Sequence, residues 1–312
     1  MRSRHAAYII CLLLAAVLLS SEASACPKTN CVRIGAWNVE WFGSDNRSQP
    51  VDQQTIDAMA DLIANKLSID IISLEEINTE LNGKVRGEEY SLKPWHVLQK
   101  ALGAYGYQTQ NGNSGNGQHI VLAWRAPVVQ LQAANDLPIP DEYDIHEYCR
   151  SSHLRKPLAG WFRANQFDFW LVGLHLKANG PDAKCTAAVR KEQSKALVKA
   201  LAPLIQKDPD VILVGDFNTS SRNKSIKPLI DSHFEALDDK GQRSVASGTH
   251  SYHSVSSTKA SSGSLIDHIM ITDATFHEWQ ARSTTIYKPK DAEAFAATFS
   301  DHVPIWADFY TQ

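Results

Sequence analysis

The chain has 312 residues, 43% of them hydrophobic and 21% charged, and a formal net charge of −3. That length can bury a sizeable core, as one large domain or two small ones, and the composition is that of an ordinary globular protein. The charge excludes a general nucleic-acid attractant and leaves room only for a local basic groove.

The amino terminus carries Arg2 and Arg4, an apolar run from Ala6 to Leu19, and the small residues Ala23-Ser24-Ala25. This pattern predicts a secretory signal over residues 1–25, too short for a comfortable membrane span. Cleavage before Cys26 would leave residues 26–312 as a single domain in the periplasm or the extracellular space. Lipid attachment at Cys26 is disfavoured by Ala23, where leucine is usual. Cys11 leaves with the signal, and Cys26, Cys31, Cys149 and Cys185 remain. An even count in an exported chain predicts two disulfides, with Cys26–Cys31 and Cys149–Cys185 the favoured pairing. No other apolar run is long enough to cross a bilayer.

Val32–Trp37 alternates like a strand and ends at Asn38. Residues 52–67 carry apolar side chains at 56, 59, 60, 63 and 67, the period of a helix, with Asp52 as its cap. Asp70–Ile77 reads as a buried strand with Glu75 and Glu76 near its end. Neighbouring residues on a strand point to opposite faces, so one of the two glutamates is expected at a site. A helix over 94–103 and a flexible loop over 111–117 follow. Strands are expected over 118–124 and 128–131, then an irregular stretch over 132–156.

Residues 157–163 and 167–175 predict a hairpin that closes on His175. A long basic helix is expected over 183–205. The next strand, Val211–Gly215, is apolar throughout, as in a sheet buried on both faces. Asp216 and Asn218 follow it directly, and extended backbone would point both to the same side. A short helix over 226–233 and a surface loop over 244–264 lead to a strand that contains Asp267. Asp301 and His302 precede the last strand, 305–309. This order of elements predicts one domain with two packed sheets and outer helices.

Asn38, Glu76, His175, Asp216, Asn218, Asp267, Asp301 and His302 thus all stand at or near strand ends. Oxygen-rich ligation without cysteine suits Mg²⁺, Mn²⁺ or Ca²⁺ better than Zn²⁺. A hard cation with two histidines is the equipment for phosphate-ester hydrolysis.

The segments Trp37-Asn38-Val39, Leu74-Glu75-Glu76-Ile77, Gly173-Leu174-His175-Leu176-Lys177, Gly215-Asp216-Phe217-Asn218, Ile266-Asp267-His268 and Ser300-Asp301-His302-Val303-Pro304 occur in this order. The set resembles the endonuclease/exonuclease/phosphatase superfamily, the DNase I-like fold, over roughly residues 32–310. The resemblance implies an α/β four-layer α-β-β-α sandwich of two packed mixed sheets. It implies that Glu76, Asn38 and Asp301 serve a divalent metal, Mg²⁺ first with Mn²⁺ or Ca²⁺ as alternatives. Asp216 and Asn218 would orient water and phosphate. His302, oriented by Asp267, would act as base or phosphate donor, and His175 would protonate the leaving oxygen. Arg155 would contact phosphate. One departure is Gln118, near the place where DNase I-type members carry a glutamate behind the equivalent of His175.

The expected activity is hydrolysis of a phosphodiester in nucleic acid, DNA first, by a monomer without a stable protein partner. Two rivals are a phospholipid or phosphoinositide phosphodiesterase of the sphingomyelinase kind, and a non-catalytic, toxin-like binding module on the same fold.

Overall fold

The computed structural model describes residues 29–44, 51–79, 84–85, 88–89, 93–115, 117–237 and 264–312. The expected signal, Cys26 and most of the loop over 244–264 lie outside the described residues.

The first strand is Cys31–Phe42 (β1). Helix Gln53–Asp61 (α1) begins where the Asp52 side chain accepts from the Thr55 amide at 2.7 Å, and continues into a wider-pitched turn over Leu62–Lys66. Ile71–Ile77 (β2), the short strands Lys84–Val85 (β3) and Glu88–Glu89 (β4), helix Pro94–Ala104 (α2), and strands Tyr107–Asn111 (β5) and His119–Arg125 (β6) follow. Next come Gln130–Asp136 (β7), Tyr143–His146 (β8), Cys149–Ser151 (β9), Leu158–Ala164 (β10) and Phe167–His175 (β11). Helix Ala183–Lys207 (α3) starts at Asp182, whose carboxylate accepts from the amides of Lys184 and Cys185. Val211–Asp216 (β12), Lys227–Asp231 (α4), Phe234–Ala236 (β13), Asp267–Thr272 (β14), Thr285–Ile286 (β15), Ala292–Thr298 (α5) and Ile305–Tyr310 (β16) complete the described elements.

Twelve of these strands form two six-stranded sheets, ordered β15-β16-β1-β2-β6-β5 and β13-β14-β12-β11-β10-β7. Both are mixed: β1 runs parallel to β2 and β11 parallel to β12, with antiparallel neighbours around them. The sheets pack face to face, with α1 and α2 on the outside of one and α3 and α4 on the outside of the other. One apolar cluster joins Ile56, Met59 and Ile63 to Ile34, Ile72 and Leu122 and to the inner residues Ile212 and Val214. A second seats Leu197 and Leu201 of α3 on Val172, Val211 and Leu213. This is the expected four-layer α/β sandwich. All six residues of β12 are buried, as the apolar run predicts for a strand covered on both faces.

Several local expectations change. The strand expected over 128–131 lies at Gln130–Asp136, because antiparallel pairing with β10 runs from Gln130 to Asp136. The expected irregular stretch over 132–156 also contains the β8–β9 hairpin, stapled to α3 by a Cys149–Cys185 disulfide. Cys31 is disulfide-bonded as well. Strand β5 and helix α5 carried too little periodicity to be read. β5 is an edge strand held by pairing to β6, and α5 is held by Phe295, which packs on Trp37.

The two sheets touch most closely under the ends of β2, β11 and β12. A methyl group on Gly173 would stand 2.4 Å from Ser73 Oγ, and one on Gly215 would stand 2.1 Å from the Leu174 carbonyl and 2.9 Å from Glu75 Oε1. Gly215 also has φ +127°, a conformation that L side chains rarely adopt. The two glycines make room for a polar pair between the sheets. Ser73 donates to Glu75, which is wholly buried, and Glu75 Oε2 has no partner among the described residues. Burial, followed by the carboxylates of Asp267 and Asp216, holds the Glu75 pKa well above the ordinary value, against the opposing pull of the Ser73 hydroxyl and His302.

Gly215→Ala is expected to cost about 3 kcal/mol, from the clash and the left-handed backbone together, read as a lower urea midpoint. A raised carboxyl pKa means that the native state holds a proton the unfolded chain loses above its own, ordinary pKa. Stability therefore falls as pH rises from that value toward the folded one. Glu75→Gln removes this loss, so in chelator the variant should match wild type near pH 4 and exceed it increasingly toward pH 8. Parallel melting curves across that range would refute the assignment.

Candidate functional site

The polar residues converge at the ends of β1, β2, β11 and β12, beside the start of β14 and the loop before β16. Asn38 bridges the two sheets. Its Nδ2 donates to Glu76 Oε1 at 3.0 Å and to Asp216 Oδ2 at 3.1 Å. Glu76 faces the site because β2 is irregular between Leu74 and Ile77 and Glu76 itself has φ 64°. Its Oε2 accepts from the Trp41 amide at 2.9 Å. Glu40, Trp41 and Asn218 also have positive φ, of 44°, 47° and 53°. Such conformations cost energy in non-glycine residues and gather at functional rims.

Asp216 and Asn218 do come together, by a different route from the one extended backbone offers. The chain turns after Asp216, so that the Asn218 amide donates to Asp216 Oδ1 at 2.6 Å and its Nδ2 to Oδ2 at 2.9 Å. Asn218 Nδ2 also reaches the Leu176 carbonyl at 3.2 Å. With Asn38, this gives Asp216 a full set of donors. Burial, then the Asp267 carboxylate, nevertheless raises its pKa to about 7.

His302 and Asp267 form the tightest charged pair of the site. His302 Nδ1 lies 2.9 and 3.1 Å from the two Asp267 oxygens. Burial alone would discharge the imidazole, but Asp267, with help from Asp216 and Asp301, raises its pKa well above 6.5. Its other nitrogen, Nε2, faces Asp216 and Asp301, each at 3.9 Å. The ring is held from behind as well. Trp37 Nε1 donates to the His302 carbonyl at 3.0 Å, and Ser300 Oγ accepts from the His302 amide while donating to the Asn38 carbonyl.

His175 sits opposite, with Nε2 3.5 Å from Asp216 and 3.6 Å from Glu76. Its Nδ1 has no hydrogen-bond partner among the described residues. Burial, then the positive charge of Arg155, lowers its pKa well below 6.5. Gln118 serves Arg155 instead, accepting from Nη1 at 3.3 Å, while Nη2 donates to the Leu176 carbonyl at 2.9 Å. Arg155 is only 8% exposed. Its charge acts on the carboxylates of Glu76 and Asp216.

Asp301 has a pKa of about 7, raised by burial and by the nearby carboxylates of Glu40 and Glu76. Its amide donates to Glu40 Oε2 at 3.3 Å. Two crowded carboxyls held near neutrality are what an added cation would relieve, so these residues fit a divalent metal. Ligand atoms of Asp216, Asp267 and His302 lie within 4.8 Å of one another. Asp267 is engaged with His302 Nδ1, which leaves Glu76 and Asp301 as the carboxylates better placed to hold a cation. Glu40 escaped the sequence reading, and Ser300 and Glu75 stood in recognised segments without a role assigned to them. Glu40 follows Asn38 by two residues and Ser300 precedes Asp301, so adjacency was the only available signal.

The model of the Endonuclease/Exonuclease/phosphatase family matches residues 35–302. No curated protein matches the sequence. Among solved structures the chain is similar to truncated Caenorhabditis elegans TDP2, at 16% identity and TM-score 0.62 over 90% of this chain and 98% of that one. It is similar to the Bacteroides thetaiotaomicron VPI-5482 mannosyl-6-phosphatase Bt3783, at 15% identity and TM-score 0.57 over 89% and 99% of the two chains. It is also similar to the Neisseria 3′ phosphatase NExo bound to a product DNA hairpin, at 14% identity and TM-score 0.56 over 89% and 99%. At such identities the likeness is one of fold. The family match over most of the chain, set on this two-sheet sandwich with its polar rim, places the protein in the Endonuclease/Exonuclease/phosphatase family, whose members are phosphoesterases.

Proposed function

We propose that the protein is an exported, divalent-metal-dependent phosphodiesterase that hydrolyses DNA. The observation that carries the catalytic part is the convergence of Asn38, Glu76, Asp216 and His302, drawn from both sheets, around one pocket. Export is supported by the amino-terminal pattern and by the Cys149–Cys185 disulfide, a bond at home in an oxidising compartment. A nucleic-acid substrate is favoured by the Neisseria 3′ phosphatase, whose structure holds a DNA hairpin. No helix among the described residues is long and apolar enough to cross a membrane.

Glu76 and Asp301 would hold the cation, Mg²⁺ in first place, with Asn38 fixing the Glu76 carboxylate. When bound, the metal supplies positive charge to a non-bridging phosphate oxygen. The residues do the rest. Asp216, whose pKa of about 7 suits a base at neutral pH, takes a proton from the attacking water. Asn218 stands beside it with a carboxamide that orients water and phosphate. His302, kept protonated by Asp267, offers Nε2–H to the charge that develops on phosphate and leaving oxygen. His175, held neutral, donates a single N–H to the ester. The proton that the resemblance assigned to His175 therefore falls to His302.

The test is turnover on plasmid DNA, RNA, sphingomyelin and inositol phosphates with Mg²⁺ and with chelator. DNA cleavage that chelator abolishes is the expected result. Cleavage of sphingomyelin alone would favour a lipid phosphodiesterase, and inactivity on every ester would favour a binding module. His302→Ala is expected to lower turnover about 10²–10⁴-fold and His175→Ala to lower it sharply, with the fold intact. Near-wild-type rates for both variants would sink the role given to the histidines.

A further inference from the structure

Away from the catalytic pocket, a cleft of about 920 Å³ opens between α3 and α4. Lys191 and Lys195 on α3 form one wall, and Arg222, Lys224 and Lys227 form the other. Pro228 and Ile230 supply an apolar side, with Ile230 39% exposed. Five cations line this cleft against two carboxylates, Asp231 and Glu235, an excess of positive charge in a chain of net charge −3. Two are engaged: Lys195 pairs with Glu192, and Lys227 with Asp231. Lys191, Arg222 and Lys224 are exposed and form no ion pair among the described residues.

Two connections tie the walls of the cleft to elements that carry site residues. The loop that carries Arg222 and Lys224 begins at Asn218, and is fastened where His268 Nε2 meets the Thr219 carbonyl at 2.8 Å and the Phe217 amide donates to Ile266. On the other wall, Arg190, next to Lys191, donates to the Lys177 carbonyl at 2.8 Å, and the Asp216 charge acts on it. A positively charged groove beside an apolar surface is the chemistry that holds single-stranded nucleic acid, with phosphates on the cations and bases on the apolar side.

We infer that the α3–α4 cleft is an auxiliary binding site for the flanking part of a polynucleotide strand whose scissile phosphate occupies the catalytic pocket. This rests on the nuclease reading for its catalytic half and on the charge of the cleft for its binding half. A short substrate would fill the pocket alone, and only a longer strand would gain from the cleft.

The test compares wild type with the K191E/R222E/K224E variant of the full chain, after circular dichroism shows equal folding. Binding of fluorescein-labelled single-stranded DNA of about 5 and about 20 nucleotides is read by anisotropy in chelator. The 20-mer is expected to bind the variant at least about tenfold more weakly, and the 5-mer equally. The slope of log affinity against log salt for the 20-mer should flatten by about 2, for three lost phosphate contacts. Turnover of bis(p-nitrophenyl) phosphate should not change. An unchanged 20-mer affinity would overturn the inference, as would charge-dependent binding of phosphatidylserine vesicles without binding of DNA. If wild type cleaves no nucleic acid but loses 20-mer affinity on substitution, the nuclease reading fails and the cleft stands. If it cleaves DNA with the same length dependence in the variant, only the cleft fails.

Discussion

One carboxamide holds the site together. Asn38 belongs to the first sheet, and its Nδ2 donates both to Glu76 of that sheet and to Asp216 of the other. A neutral amide suits this position because a cation there would compete with a metal and a carboxylate would repel both neighbours. The contact works only if the sheets come close, and Gly173 and Gly215 permit that approach by having no Cβ. The geometry at the rim is thus set several residues deeper, where Ser73 and Glu75 fill the space the glycines leave.

Electrostatically the pocket contains more acid than it can ionise. Asp216 and Asp301 both sit near neutrality, and Glu75 is held protonated beneath them. His302 offsets part of that negative charge because Asp267 stabilises its imidazolium. Arg155 and His175 occupy the opposite side. The buried guanidinium serves the carboxylates of Glu76 and Asp216 and disfavours a second positive charge on His175. Two histidines of identical chemistry are thereby driven in opposite directions by their neighbours, and divided roles for them follow from that difference.

Strain accompanies this arrangement. Glu40, Trp41, Glu76 and Asn218 adopt left-handed backbone although none is glycine. Each is fixed by a specific bond: Glu40 by its amide on Asn38 Oδ1, Trp41 and Glu76 by the Trp41 amide on the Glu76 carboxylate, and Asn218 by its amide on Asp216. The fold is shared with a mannosyl-6-phosphatase and with a 3′ phosphatase bound to a product DNA hairpin, so the fold by itself does not fix a substrate.

What the amino-acid order determined by itself was the alternation of elements and the polar residues that end them. Val211–Asp216 reads as a doubly covered strand because every position before Asp216 is apolar or glycine, and residues 52–67 read as a helix from a regular apolar stripe. The Ser300-Asp301-His302 and Leu74-Glu75-Glu76 segments are recognisable from residue type alone. Tertiary structure decided which strands became neighbours, the register that extended β7 to Asp136, and the existence of β5 and α5, which pairing and packing hold in place. It also decided the protonation of each group. Local sequence does not report how deeply a carboxyl is buried or which distant charge faces it, so the opposite fates of His175 and His302 and the buried acid at Glu75 became legible only when strands far apart in the chain were brought together.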